Sequence, residues 1–386
     1  MSIEELKDKL SQNMKGTNVS ILSQSEIAST KEWIKTPAYD LNRILSGSLF
    51  KGLPNKTFSM FIGPEASGKS SLMCLALVEA QKMGYTPVVI DTEGAWDKTF
   101  VTRWGLDPDN MLYIYTPWIE EIFVFLGNLI DSGEKRIALV IDSIGGLENL
   151  KLLKDSIDGE AKADQGTLQK KIKRMLKMVL NVAKGKESIA MAAGHYYGSP
   201  SRFGSAEEIG GGKFVKLAPD IIVSLKKSPI YVDPKAKFAD RVIIGSDITA
   251  ITLKNRYYPP FNECKVEVDY QKGVNKIAGI IDIALEQDII QKGGAWYRIG
   301  EERLGQGMAN VMENLYSNDA LLDSIIEKVE NFVQTTGYST KNVEMEAIME
   351  EKSKEETVEI MEPEVLEVAE PVKPKKKTET KKKVKK

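Results

Sequence analysis

The sequence predicts an α/β fold: a mainly parallel central sheet with helices on both faces, a short helical arm before it, a small α/β lobe after it and a charged tail. Three observations carry this expectation. Between Trp33 and about Val268, β-rich runs alternate with helical patterns, the runs falling at 58–62, 88–91, 137–142, 189–193, 221–225, 250–253 and 266–268. The first of these runs passes through a glycine-bearing loop straight into an apolar helical pattern at 72–80. Two others end in acidic residues, and in parallel sheets ligands sit beyond the carboxyl ends of the strands.

Taken in order, residues 1–34 are an N-terminal arm. Ile3, Leu6 and Leu10 share one side of a helix over 3–14, too short a stripe to bury alone. The arm either caps its own domain or docks on another subunit as a polymerisation arm, and the pattern does not separate the two. Residues 35–272 form the core, and 273–336 a small C-terminal domain with Ile277, Ile280, Ile281, Ile283, Ala284 and Leu285 in helical spacing. From 337 to 386 the apolar pattern thins into glutamate-rich and then lysine-rich sequence, and charge blocks of this kind are expected to form a disordered tail.

With 42% hydrophobic and 28% charged residues, the 386-residue chain has an ordinary globular composition. No apolar run reaches the length of a membrane span and the first residues do not read as a signal peptide, so a cytoplasmic protein with no membrane partner is expected. Only Cys74 and Cys264 are present, which suggests neither a disulfide framework nor a zinc site. The net charge of −2 averages over opposing segments and neither supports nor excludes a nucleic-acid partner.

The loop Gly63-Pro64-Glu65-Ala66-Ser67-Gly68-Lys69-Ser70-Ser71 has the spacing G-x-x-x-x-G-K-S between a strand and a helix. Gly63 and Gly68 let the backbone curl so that N–H groups point inward, and the helix presents its positive end to the same anion. Lys69 reaches the β- and γ-phosphates of a nucleoside triphosphate, and the Ser70 hydroxyl joins a Mg²⁺ shell. ATP and Mg²⁺ are the expected cofactors. A plain turn between strand and helix is the competing reading; the lysine, the hydroxyl and both flanks argue against it. Asp142, ending the apolar run 137–142, can hold the Mg²⁺ shell opposite Ser70. Hydrolysis also needs a group that orients water. Glu93 and Asp91, at the end of another run, compete for that role on the residues alone.

The single histidine, His195, follows the run 189–193 and precedes a long glycine-rich excursion, the position a γ-phosphate sensor needs to convey nucleotide state to a loop. That excursion, 196–213, contains Arg202, Phe203 and Gly210-Gly211-Gly212-Lys213: charge, an aromatic tip, and exposed backbone N–H groups that could hold a phosphate. A second loop is expected at 151–166. On the helix after it, 167–184, Lys170, Lys173, Arg174 and Lys177 share one face, opposite a stripe of Leu168, Ile172, Met175, Leu176, Val179 and Leu180. Beside two long loops, that face reads as a track for a sugar-phosphate backbone rather than a merely solvated surface.

Together, the loop 63–70, Asp91-Thr92-Glu93, Val140-Ile141-Asp142-Ser143, Gly210-Gly211-Gly212-Lys213-Phe214, Lys254-Asn255-Arg256 and the run from Gly294-Ala295-Trp296-Tyr297 to Leu304-Gly305-Gln306-Gly307 resemble the RecA family of homologous recombinases, including its phage branch. The resemblance covers about 35–335. It implies a RecA-like P-loop NTPase core and an ATP-dependent helical filament that coats single-stranded DNA, pairs it with homologous duplex and exchanges strands. It also implies that Glu93 is the water-activating base, that Asp97, Phe100 and Tyr270 line the adenine pocket, and that Lys254 and Arg256 reach ATP on the neighbouring subunit. His195 stands where bacterial members have glutamine. The lysine-ended tail and the altered tip of the glycine-rich loop depart from the family pattern, so tail autoinhibition and repressor cleavage are not carried over. A hexameric ring motor such as a helicase and an ATP-gated regulatory protein are the alternative readings.

Overall fold

The segment Phe58–Gly63 is buried at every position, the pattern of a strand covered on both faces. It is the central strand of a nine-stranded sheet in a computed structural model of the chain. The structure describes residues 1–13, 19–25, 32–158, 166–185, 187–195, 210, 212–233 and 241–336. In chain order the strands are β1 (Trp33–Ile34), β2 (Leu53–Pro54), β3 (Phe58–Gly63), β4 (Thr86–Asp91), β5 (Leu112–Tyr115), β6 (Ile137–Asp142), β7 (Ile189–His195), β8 (Ile221–Tyr231), β9 (Ile243–Asn255), β10 (Glu263–Asp269), β11 (Gly273–Val274), β12 (Gln291–Gly293), β13 (Trp296–Ile299) and β14 (Glu302–Gln306). The helices are α1 (Ile3–Asn13), α2 (Tyr39–Ser46), α3 (Lys69–Lys82), α4 (Lys98–Trp104), α5 (Ile119–Asp131), α6 (Leu150–Ile157), α7 (Thr167–Gly185), α8 (Lys213–Leu217), α9 (Ile280–Glu286), α10 (Gly307–Ser317) and α11 (Asp319–Thr336). No helix among the described residues is long and apolar enough to cross a membrane.

The large sheet has the order β11-β10-β9-β8-β3-β7-β6-β4-β5. Every pair from β8 across to β5 is parallel, and the three pairs among β8, β9, β10 and β11 are antiparallel, so the expected α/β fold with a mainly parallel sheet is the one observed. Alternation along each strand sends successive side chains to opposite faces. Phe61 joins Met73, Leu77, Val89 and Val140 in a core under α3, while Met60 and Ile62 join Ile90, Leu126, Leu139 and Val179 in a core under α5 and α7. A third core belongs to the small lobe, where α9, α10 and α11 pack with the β12-β13-β14 sheet around Ile280, Leu304, Val311, Ile325 and Val329. Gly273 and Val274 still pair with β10, and the lobe's own core begins at Ile277.

Three details differ from the sequence reading. β5 was not among the expected runs because Leu112, Tyr113 and Tyr115 are exposed on an edge strand, leaving no inward and outward alternation to read. The stretch expected as a loop over 151–166 begins instead with α6, whose first turn is capped by Asn149: its Oδ1 accepts from the N–H groups of Lys151 (3.1 Å) and Leu152 (3.4 Å). Residues 159–165 lie outside the described residues. The arm ends in the core, since Glu32 accepts from Arg136 at 2.9 Å and from the Tyr85 hydroxyl at 2.7 Å and β1 pairs with β2. On α1 the side chains of Ile3, Leu6 and Leu10 are exposed.

A buried ion pair fixes the exit from the large sheet to the small lobe. Arg43 Nε lies 2.6 Å from Asp40 Oδ1, and Arg43 Nη2 donates to the Glu263 carbonyl at 3.0 Å, so α2 is tied to β10. Gly279, at φ +81° before α9, packs against the same carboxylate, where a Cβ would come within 2.2 Å of Asp40 Oδ2. Removing one member leaves the other charge buried without its counter-ion. Arg43→Leu is therefore expected to lower stability by about 3–5 kcal/mol, read as a lower urea midpoint with an unchanged slope.

Candidate functional site

The glycine-bearing loop is a cradle shaped by close backbone approach. A Cβ on Gly63 would lie 2.5 Å from the Leu225 carbonyl and 2.6 Å from Ser67 Oγ, and Gly68 takes φ +95° at the start of α3. Lys69 is buried, with its Nζ donating to the Gly63 carbonyl at 3.1 Å and the Pro64 carbonyl at 2.8 Å. Burial pushes its pKa down, and Asp142, Glu93 and Glu65 nearby only partly offset that. The Ser70 hydroxyl donates to Asp142 Oδ2 at 2.6 Å. Burial also raises the Asp142 carboxyl above its usual range, although Ser70 and the Trp96 indole both donate to it.

These residues fit a magnesium nucleotide. The cradle at Gly63 and Gly68 has no room for side chains, Ser67 Oγ is buried without a hydrogen-bond partner, and Ser70 with Asp142 supplies the hard oxygen donors that Mg²⁺ prefers. Among the described residues no group of three or more His, Cys, Asp or Glu side chains forms a separate metal cage.

The register of the sheet brings the other candidates to the same edge. Gly63 pairs with His195 and Asp91 with Asp142. His195 Nε2 lies 3.1 Å from Glu93 Oε1, and Ser143 Oγ donates to that same oxygen. Burial would raise the Glu93 carboxyl, but the hydrogen bonds from Ser143 and His195 outweigh it and hold the group below the ordinary range. Asp91 is differently occupied. Its Oδ1 accepts from the N–H groups of Glu93 (3.0 Å) and Gly94 (2.8 Å), and its Oδ2 from the N–H of Trp96 (2.9 Å) and the Tyr113 hydroxyl (3.1 Å). Fully buried and holding four donors, Asp91 builds the turn that carries Glu93.

Asp97 caps α4, accepting from the Phe100 N–H at 2.6 Å, and Phe100 meets Trp96 edge-on with ring centroids 5.3 Å apart. Tyr270 follows β10, with its hydroxyl 2.8 Å from Ser246 Oγ. Lys254 and Arg256 lie elsewhere. Asn255 pairs with Ile221, which pairs with Ser59 near the start of β3, so the two cations flank the edge opposite the loop. The four steps from Ser59 to Gly63 alone span about 13 Å. There Lys254 Nζ donates to the Leu217 carbonyl at 2.9 Å, and Arg256 pairs at 3.3 Å with Asp220, a buried carboxylate that also accepts from the Phe58 N–H. Burial, and then the Arg256 charge, push the Lys254 pKa down.

On α7 the four cations are exposed on one face, as their spacing predicts. Lys173 Nζ sits 5.5 Å from the centre of the Phe214 ring and the Arg174 guanidinium 5.3 Å from that of Phe123. Gly212 (φ +89°) and Lys213 lead into α8, and a Cβ on Gly212 would meet Gln169 of α7 at 3.3 Å. The end of the glycine-rich segment thus packs on the basic helix. Gly210 is described, but Arg202, Phe203 and Gly211 lie outside the described residues. Sequence reasoning missed Trp96 and Asp220, and it named Ser143 only within a family motif, without a role. A hydroxyl next to Asp142 was a visible signal for Ser143, whereas the other two are recognisable only once strands are paired.

A family model described as the RecA N-terminal domain matches residues 4–275, and the RecA C-terminal domain matches 278–334. Protein RecA of Acinetobacter baumannii is 30% identical over 294 residues, which cover 74% of this chain and 79% of that protein. Protein RecA of Oleidesulfovibrio alaskensis is 30% identical over 283 residues (72% and 77%), and that of Roseiflexus castenholzii 29% over 276 residues (71% and 75%). Since the two models run end to end through the large sheet, its glycine-bearing loop and the small lobe, the chain belongs to the RecA family of DNA-binding, ATP-binding recombinases.

Proposed function

We propose that this chain is an ATP-dependent strand-exchange protein that assembles as a helical filament on single-stranded DNA, pairs it with homologous duplex DNA and hydrolyses ATP between neighbouring protomers. The observation that carries this reading is the separation of the phosphate cradle from Lys254 and Arg256 by the length of the sheet. A head-to-tail assembly would bring one protomer's cations to the next protomer's cradle, and a contact of that kind that does not close produces a helix.

In this reading the backbone of 63–71 and Lys69 bind the phosphates, while Ser70 and Asp142 hold Mg²⁺, which when bound neutralises charge developing on the phosphates. Glu93, kept ionised by Ser143 and His195, orients the attacking water. Lys254 and Arg256 act as fingers in trans. Asp97, Phe100 and Tyr270 form the adenine side. His195 bonds to Glu93 at the strand end from which the segment 196–213 departs, so it is suited to report the γ-phosphate to the DNA-binding segment. The face with Lys170, Lys173, Arg174 and Lys177, together with Arg202, Phe203, Gly210, Gly211, Gly212 and Lys213, would hold the DNA backbone. The exposed stripe of α1 suits docking on a neighbouring protomer.

Negative-stain images with ATP and single-stranded DNA test the assembly: open helical filaments are expected, and closed rings would favour a motor instead. Lys69→Ala should abolish ATP-dependent filaments and turnover with little change in melting temperature; normal turnover would remove the nucleotide assignment. The two acids separate cleanly. Glu93→Gln should lower DNA-stimulated turnover by about 10²–10⁴-fold with stability nearly unchanged, whereas Asp91→Asn, which strands two buried donors, should cost about 2 kcal/mol or more in denaturant unfolding. Finally, Lys69→Ala and Arg256→Ala proteins, each inactive alone, should regain part of the activity when mixed, since the cradle of an Arg256→Ala protomer facing the cations of a Lys69→Ala protomer makes an intact interface. No recovery would place the cations outside the site.

A further inference from the structure

Trp96 has no part in the chemistry assigned above, yet its side chain touches the metal-holding carboxylate. It is 4% exposed, and its Nε1–H donates to Asp142 Oδ2 at 2.7 Å, the same oxygen that accepts the Ser70 hydroxyl at 2.6 Å. The residue is itself held at two further points. Its backbone N–H is bound to Asp91 Oδ2 at 2.9 Å, and its ring packs edge-on against Phe100 within the core that contains Val101 and Leu106.

We propose that Trp96 is a positioning residue for divalent-ion binding: its indole N–H fixes the Asp142 carboxylate, and through it the Ser70 hydroxyl, in the orientation that receives Mg²⁺. The proposal rests on the nucleotide reading of the cradle. A carboxylate at the end of a rigid strand still turns about its last torsion, which has only broad preferences, so the donors around it set its orientation. With Oδ2 pinned by the indole, the Ser70 proton has a fixed acceptor. The serine lone pairs, the only part of a hydroxyl that a hard cation can use, then point away from Asp142. Because the acceptor carries charge, the indole hydrogen bond is of the stronger kind. Groups that orient metal ligands without touching the metal typically change affinity by 10–100-fold. The contact with Phe100 also places the ion side and the expected base side of the site on one aromatic unit.

Trp96→Phe keeps a ring against Phe100 and deletes the N–H. Binding of a fluorescent ATP analogue should be titrated for the wild type and the variant, once in EDTA and once across a Mg²⁺ series, with thermal melting as the folding control. In the variant the affinity in EDTA should stay within about twofold, while the Mg²⁺ concentration for half-maximal binding rises about tenfold or more. Trp96→Tyr, run in parallel, should behave the same way and stands in if the phenylalanine variant fails to melt cooperatively. An unchanged Mg²⁺ requirement, or an equal loss in EDTA and in Mg²⁺, would overturn the positioning role while leaving the nucleotide site intact. Absence of nucleotide binding by the wild type would instead sink the reading of the cradle, and this proposal with it.

Discussion

Because β3, β7, β6 and β4 run parallel and in register, Gly63, His195, Asp142 and Asp91 arrive together at one edge of the sheet. Hydrophobic packing covers both faces of these strands. Met60 and Ile62 face one helical layer and Phe61 the other, so a slip of one residue in β3 would send each side chain into the opposite core. The loop, the acids and the histidine inherit their spacing from the register of these strands.

Crowding three acids at such an edge raises a second constraint. Unpaired carboxylates in a partly dry site would repel one another and lose hydration. The chain meets this by giving each acid its own donors: backbone N–H groups and Tyr113 for Asp91, Ser70 and Trp96 for Asp142, Ser143 and His195 for Glu93. The result is a division of labour. Asp91 is saturated and structural, Asp142 is held by two donors on one oxygen, and Glu93 is the most exposed of the three and open to solvent on one side.

Much of this was legible in the sequence because it is local. The cradle is a contiguous loop between a strand and a helix, and its reading required only spacing. The basic face of α7 follows from helical periodicity alone. Features that depend on pairing were not legible. Glu93 and Asp91 are two residues apart at the same strand end: the family resemblance alone favours Glu93, and the different hydrogen bonding of the two appears only in the folded turn. The remoteness of Lys254 from the cradle comes from β9 running antiparallel to β8, a reversal no motif records. β5 went unread because an edge strand with exposed Leu112 and Tyr115 lacks alternation, and α6 because its signal was a single asparagine cap.

Lys69 already has two carbonyl acceptors from its own loop, at 3.1 and 2.8 Å. An arriving triphosphate therefore does not neutralise a bare ammonium; it displaces ready-made internal partners, to which the side chain can return when the anion leaves. Such swapping of partners lowers the ceiling on affinity but shortens residence, since the vacated state is never left with an unpaired buried charge. For a member of an ATP-binding family, a loop that can resolvate its own lysine favours rapid exchange of the bound nucleotide over tight retention.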